Sequence, residues 1–187
     1  TVDLSSFYFD IRKDILYCDS KDSQKRKDCI LVLNIILDCL IKWFAPILSF
    51  TTEEIFKLLN NENDNSIHLK QFPKINENWE NDKIQQDWTN LIQIRNIVNS
   101  SIEKKREDKT IGSSLEAQVK IELNKKYFDL AQLHDFSEIC ITSDSKVVLN
   151  ENLKDEIKVE TTKAEGDKCQ ICWKIKKNKC SRQNCPV

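Results

Sequence analysis

No methionine occurs among the 187 residues and the first position is Thr1, so the sequence reads as part of a longer polypeptide. Glycine is almost as scarce. Gly112 and Gly166 stand too far apart to build a glycine-rich loop that cradles a phosphate with its backbone amides. The two histidines, His68 and His134, are equally separated, and His68 has no cysteine or carboxylate at ligand spacing, which makes it a packing or surface residue. No acid, base and nucleophile fall into a catalytic grouping, so the chain is expected to bind rather than to catalyse. No apolar run reaches the roughly 20 residues that span a bilayer. The start also lacks the charged-then-apolar pattern of a secretory leader, and a cytoplasmic location away from membranes is expected. Positive charge is not in excess either. With 32% charged residues the formal net charge is −1, which excludes a global basic field and leaves any nucleic-acid contact to local patches.

What the sequence does hold is one strongly apolar stretch, residues 23–59, expected to form the centre of the core. Cys29, Leu33, Ile36, Leu37, Leu40 and Phe44 recur at helical spacing, and Ile30, Val32 and Ile41 widen that face. Pro46 has no N–H and clashes with the preceding turn, so the helix is predicted to break there and the chain to bend. Ile47, Leu48 and Phe50 are expected to continue the buried surface. Thr51 followed by Glu54 reads as a capping box opening a second helix over residues 52–59. Ahead of this hairpin, Leu4, Phe7, Tyr8, Ile11 and Ile15 line one face of an amphipathic helix over residues 4–17, expected to pack on the hairpin.

Residues 60–66 are too polar to offset the entropy of ordering and read as loop, followed by a short extended linker at 67–69 and Phe72-Pro73. From 83 to 107, Ile84, Trp88, Leu91, Arg95, Val98 and Ile102 keep helical register, and mixed charges close the helix. Beyond Gly112 the period changes to two. Ala117, Val119, Ile121 and Leu123 read as a strand, as do Ile139 with Ile141, Val147 with Leu149, and Ile157 with Val159. A helix over 127–136 is expected to turn Leu130 and Leu133 inward. The predicted class is mainly α. A helical bundle covers 1–110, including the linker 60–82 and the long helix 83–108; a small mixed α/β module follows over 111–165, then a zinc-ribbon-like tail over 166–187.

Eight cysteines divide into two groups. Cys18, Cys29, Cys39 and Cys140 sit among apolar residues, as small hydrophobes do. Cys169, Cys172, Cys180 and Cys185 crowd into the tail, and in a reducing compartment such crowding points to metal rather than disulfides. A Cys-x2-Cys knuckle aims two thiolates at one ion, and Cys180 with Cys185 completes a set that suits one structural Zn²⁺ at sulfur distances of about 2.3 Å. Lys168, Lys174, Lys176, Lys177, Lys179 and Arg182 surround them without an acidic residue. The tail therefore stays positive even around a zinc tetrathiolate, which suits a phosphate backbone. Trp173 either stacks on an unpaired base or packs over the knuckle.

The run Lys42-Trp43-Phe44-Ala45-Pro46-Ile47-Leu48-Ser49-Phe50-Thr51, with Glu53-Glu54-Ile55-Phe56, resembles the anticodon-binding helical domain of class I aminoacyl-tRNA synthetases, above all the bacterial isoleucyl enzymes. A second similarity follows in order: Ile94-Arg95, Val98, Ile102-Glu103, Arg106, Lys109, Ile111-Gly112, Ser114-Leu115-Glu116-Ala117 and Val119. Lys168-Cys169-Gln170-Ile171-Cys172-Trp173 then reproduces that family's Lys-Cys-x-x-Cys-Trp. The family's second pair is Cys-x-Arg-Cys. Here Cys180-Ser181-Arg182 fits, Gln183 stands where the fourth cysteine belongs, and Cys185 follows two residues later. The resemblance implies the C-terminal, tRNA-binding part of a monomeric isoleucine–tRNA ligase. That part would grip the anticodon arm of tRNA, not DNA, while ATP is used in a catalytic domain outside this chain. Neither the His-Ile-Gly-His nor the Lys-Met-Ser-Lys-Ser signature of that domain is present, and earlier bundle helices are implied as well. By the same analogy Lys25, Arg26, Lys27, Lys104, Lys105, Arg106, Lys174, Lys176, Lys177 and Arg182 are candidate phosphate contacts. Valyl and leucyl synthetases share the apolar run, but the Cys169–Trp173 tail favours the isoleucine enzyme. A stand-alone zinc-dependent RNA-binding or interaction module is the rival from another class.

Overall fold

A computed structural model describes residues 2–60, 65–154, 156–178 and 180, so Cys185, Arg182 and most of the polar loop at 60–66 lie outside the described residues. The chain is mainly helical, with a small sheet module after the long helix and cysteines clustered near its end. Its helices are α1 (Asp10–Cys18), α2 (Gln24–Phe44), α3 (Ser49–Leu59), α4 (Asp82–Glu107), α5 (Lys125–Ala131) and α6 (Phe136–Ile139). The strands are β1 (Ala117–Leu123), β2 (Asp144–Leu149), β3 (Lys158–Lys163), β4 (Asp167–Lys168) and β5 (Ile175–Lys176). Contacts group these elements into two compact units, residues 21–80 on one hand and residues 1–20 with 81–187 on the other.

In the unit 21–80 the helix breaks where Pro46 demands. The Ile47 and Leu48 amides both donate to the Phe44 carbonyl, at 2.9 and 2.7 Å, closing a tight turn. α3 then starts earlier than expected, at Ser49, with no side-chain cap. Thr51 is already inside its first turn, and the Thr52 hydroxyl donates back to the Leu48 carbonyl at 3.0 Å. The expected capping box is therefore not formed. The neighbouring Glu53 accepts from the Ser66 hydroxyl at 2.7 Å and the Ile67 amide at 3.0 Å. That carboxylate fixes residues Ile67–Leu69 as a single 3₁₀ turn rather than an extended linker, and Ile67 becomes fully buried.

Ile41, Ala45, Phe56 and Ile67 form the core of this unit, with Leu37 and Ile55 against them. The stretch expected to be the centre of the core is otherwise largely surface. α2 buries only Cys29 and Ile41, while Leu31 is 60% and Phe50 is 93% exposed, and Ile47 and Leu48 are exposed too. A helix pair covers one face of each partner, and apolar rows on the remaining faces stay open.

The true centre of burial lies in the other unit. Asn81 caps α4 by accepting from the Ile84 amide at 3.0 Å. Leu91, Ile94, Val98 and Ile102 then recur every three or four residues and are essentially inaccessible, whereas Ile84 and Trp88 are exposed. They pack with a three-stranded sheet of order β2-β1-β3, in which β1 runs parallel to β2 and antiparallel to β3. As the central strand, β1 buries Ala117, Val119, Ile121 and Leu123 completely, as its alternation predicts. Ile139 and Ile141 do not form a strand. Asp135 caps α6 by accepting from the Ser137 amide at 2.8 Å, Ile139 ends that helix, and Ile141 takes a left-handed conformation, φ 55°. This cap also divides the expected helix over 127–136, so Tyr127, Ala131 and Phe136 face the core and Leu133 is exposed.

The start of the chain belongs to this unit. A wide π-helical stretch, Val2–Phe9, leads into α1, which buries Ile11, Ile15 and Cys18. Side chains of both stretches meet partners from residues 81–187. Phe7 lies 5.6 Å from the Trp88 ring and under the Arg95 guanidinium, and Arg12 pairs with Glu138.

Candidate metal centre

β4 and β5 pair antiparallel, Asp167 with Lys176 and Lys168 with Ile175, and hold the Cys-x2-Cys loop between them. Inside the loop the Cys169 amide donates to the Lys174 carbonyl and the Trp173 amide to the Cys169 carbonyl, each at 3.0 Å. The Ile171 amide points at Cys169 Sγ at 3.5 Å, and the Lys174 amide bonds the Cys172 sulfur. This is a knuckle in which backbone N–H groups converge on sulfur. Trp173 pays with a left-handed backbone, φ 60°. Gly166 enters the hairpin at φ 123°, where a Cβ would stand 2.2 Å from the Lys176 carbonyl oxygen, so only glycine fits.

The sulfur atoms of Cys169, Cys172 and Cys180 lie within 4.8 Å of one another, and all three residues are buried. Burial pushes the Cys172 thiol up; the Lys174 amide opposes this, and the neighbouring Cys169 and Cys180 push it further up. Without a cation Cys172 therefore resists losing its proton. A divalent ion reverses the balance, because thiolates crowded in a dry site become its ligands instead of one another's repulsion. The donor set fits a soft-to-borderline ion such as Zn²⁺. Three of the four expected ligands are thus brought together, and Cys185 lies outside the described residues.

The site rests on residues far away in sequence. Lys174, buried, places Nζ 3.8 Å from the Asp14 carboxylate of α1. Ser143 donates its hydroxyl to the Leu115 carbonyl and accepts the Ile175 amide at 2.6 Å, tying the knuckle hairpin to the sheet module. Cys18 packs among the three cysteines in one buried cluster. Neither Asp14 nor Cys18 carries a spacing signal that marks it in the sequence.

The expected cationic contacts are spread over the chain. Lys25, Arg26 and Lys27 occupy the first turns of α2, with Lys25 and Lys27 exposed. Lys104, Lys105 and Arg106 form the last turn of α4, where Lys105 pairs with Asp108 and Arg106 with Glu103. Lys176 is half-buried and Lys177 exposed, the latter 2.6 Å from Glu165. Trp173 is 59% exposed, with its indole N–H donating to the Gln170 carbonyl at 3.1 Å. Arg182 lies outside the described residues.

Comparison with known proteins matches this arrangement to one group. The profile of the anticodon-binding domain of tRNA ligase matches residues 1–121. The isoleucine–tRNA ligase of Pelagibacter ubique is 59% identical over 98% of the chain, which corresponds to 20% of that protein. The isoleucine–tRNA ligase of Agrobacterium fabrum is 43% identical over 93% of the chain and 19% of its own length, and that of Caldicellulosiruptor saccharolyticus 39% identical over 99% and 21%. The chain spans about a fifth of the length of these relatives. With most of its length under the profile and the similarity running on through the cysteine knuckle, the chain belongs to the anticodon-binding domain family of tRNA ligases.

Proposed function

We propose that the chain is the part of a bacterial-type isoleucine–tRNA ligase that docks the anticodon arm of tRNA, while a catalytic domain elsewhere in the polypeptide uses ATP to attach isoleucine. The observation that carries this reading is the convergence of Cys169, Cys172 and Cys180 beside an exposed tryptophan, in a chain similar along almost its whole length to isoleucine–tRNA ligases. One structural Zn²⁺ on these thiolates would make the tail a small zinc-ribbon-like module: two short strands and a knuckle, with no catalytic role for the ion.

The bundle would supply the other contacts. Lys25, Arg26 and Lys27 crowd the N-terminal end of α2, where the helix dipole is already positive and cations are disfavoured. A bound phosphate relieves that crowding. Lys104, Lys105 and Arg106 at the end of α4, with Lys176, Lys177 and Arg182 in the tail, provide further positive charge for the backbone of the same arm. Lys174 is better used in holding the knuckle to Asp14 than in contacting phosphate, because it is buried. The Trp173 ring, pinned at its N–H edge, offers a face on which an unpaired anticodon base stacks. Such a protein works as a monomer in the cytoplasm, on tRNA and not DNA or membrane; no helix among the described residues is long and apolar enough to cross a membrane.

Binding of isoleucine-specific tRNA to the chain, titrated across salt concentrations, tests the reading. Affinity should fall linearly on logarithmic axes as counterions compete for the phosphates, and a tRNA of different anticodon should bind more weakly. Salt-independent binding, or none, would remove the phosphate-gripping role. A reading frame upstream of Thr1 that lacks a class I catalytic domain would favour the stand-alone zinc module instead.

A further inference from the structure

Two exposed aromatic side chains, one from α1 and one from the knuckle, border the same small cavity. Tyr17, in the last turn of α1, is 78% exposed and Trp173 is 59% exposed, and both line a space of about 180 Å³ together with Ile141 and Ile171. The separation of the two rings is set by the residues beside them. Asp14 and Tyr17 are three residues apart and share a face of α1, while Lys174 directly follows Trp173. The ion pair of Asp14 with buried Lys174 therefore holds α1 to the knuckle, and the left-handed backbone at Trp173, φ 60°, leaves its ring outside while Lys174 turns in.

Rings left in water at the edge of an apolar cavity are surface that a flat ligand would cover. The space is well below the roughly 300–1,000 Å³ of a pocket for a drug-sized molecule, and it suits a single flat ring system. Because the Trp173 N–H is already given to the Gln170 carbonyl, that ring has only its face to offer. Three carboxylates, of Asp10, Asp14 and Glu138, line the cavity against two ammonium groups, of Lys13 and Lys174, which disfavours a phosphate inside it. Unpaired bases of single-stranded RNA are held in this way, by stacking on aromatic faces with their polar edges bonded. Resting on the anticodon-arm reading above, we propose that Tyr17 is a second stacking residue, and that one unpaired base of the RNA loop seats against Tyr17 and Trp173 with its polar edge toward Asp14 and Lys174. The carboxylate supplies an acceptor and the ammonium a donor for that edge. A helix near the start of the chain then shares base binding with a hairpin near its end. Since the contact is to a base, it adds affinity without adding to the salt dependence.

The test uses the full 187-residue chain and, as probe, the anticodon stem-loop of isoleucine-specific tRNA. Tyr17→Ala, at a position too exposed to decide folding, should weaken binding by about five- to one-hundred-fold and leave the salt slope unchanged. Tyr17→Phe keeps the ring and should rescue the loss. Replacing each loop nucleotide in turn by an abasic residue should reveal one position whose loss matches that of Tyr17→Ala, with the two losses failing to add when combined. If Tyr17→Ala binds as tightly as the unaltered chain, or if every abasic loss adds to it in full, Tyr17 holds no base and the proposal falls while the anticodon-arm reading stands. A chain that does not bind the stem-loop at all overturns both.

Discussion

Lys174 Nζ stands 3.8 Å from Asp14 Oδ2, and the lysine side chain retains only 7% of its exposure. A lysine enclosed this far is seldom left without a counter-charge. Removing Asp14 leaves the enclosed ammonium only the more distant charge of Asp135, while removing Lys174 leaves a carboxylate that water still reaches. Asp14→Asn should therefore cost more stability than Lys174→Met. We expect about 1–2 kcal/mol for Asp14→Asn, less than the ~3–5 kcal/mol of a fully enclosed pair because Asp14 is partly solvated and the separation is long. Urea denaturation of both single variants and the double variant measures this, and a double variant near the level of Lys174→Met completes the case. Because Lys174 is not assigned to phosphate, Lys174→Met should leave the salt slope of tRNA binding unchanged.

Gly166 supports the same hairpin from its entrance. A methyl group there meets the Lys176 carbonyl oxygen at 2.2 Å and sits on a backbone that side chains rarely adopt. Relief requires β4 and β5 to separate at the very pair that frames the knuckle. Gly166→Ala should cost about 1–3 kcal/mol and weaken metal binding, read by competition with a chromophoric chelator. Gly112→Ala is the control: its nearest neighbour is the flexible Glu116 carboxylate at 3.6 Å, so metal binding should be unaffected.

Which parts of this architecture can be read in the sequence follows from what each pattern measures. The alternation of Ala117, Val119, Ile121 and Leu123 appears as a central strand because both its pairing strands and the helices that bury one face are in the chain. The knuckle is legible because Cys-x2-Cys is local geometry. The apolar stretch at 23–59 misleads as a guide to the core, since hydrophobicity reports how much surface a segment would bury and not whether a partner is present to bury it. Thr51 and Glu54 have the spacing of a capping box, but the tight turn after Pro46 starts α3 three residues sooner, which puts Thr51 inside the helix. Cys18 and Asp14 were invisible because the contacts that give them a role cross most of the chain.

This difference between apolar and buried has a measurable form. Ile121 is fully buried in the sheet and Leu31 is mostly exposed on α2. Truncating the first opens a cavity among side chains that cannot collapse into it, while truncating the second mainly removes surface. Ile121→Ala should cost about 3–4 kcal/mol, and Leu31→Ala under about 1 kcal/mol. Equal losses in chemical denaturation would mean that α2 is as well covered as β1.

Glu53 links stability of the α3 region to pH. Its carboxyl is held below the ordinary glutamate value of 4.5, above all by the Ser66 hydroxyl; desolvation opposes this, and the Ile67 amide and Lys57 add to the lowering. The ionised form is the better acceptor for all three, so folding favours it. For a group whose folded pKa is depressed, the stabilisation is complete above the unfolded value and is lost as pH falls through the folded one. Wild type should therefore exceed Glu53→Gln in stability by a constant margin from neutral pH down to about 4.5, and the margin should shrink at lower pH as the carboxyl takes up its proton. Denaturation midpoints of the two proteins between pH 7 and pH 3, referred to the same urea series, give the margin directly. A margin that does not change with pH would show that the 3₁₀ turn at Ile67–Leu69 is held by packing of Ile67 alone, and that the charge on Glu53 contributes nothing to it.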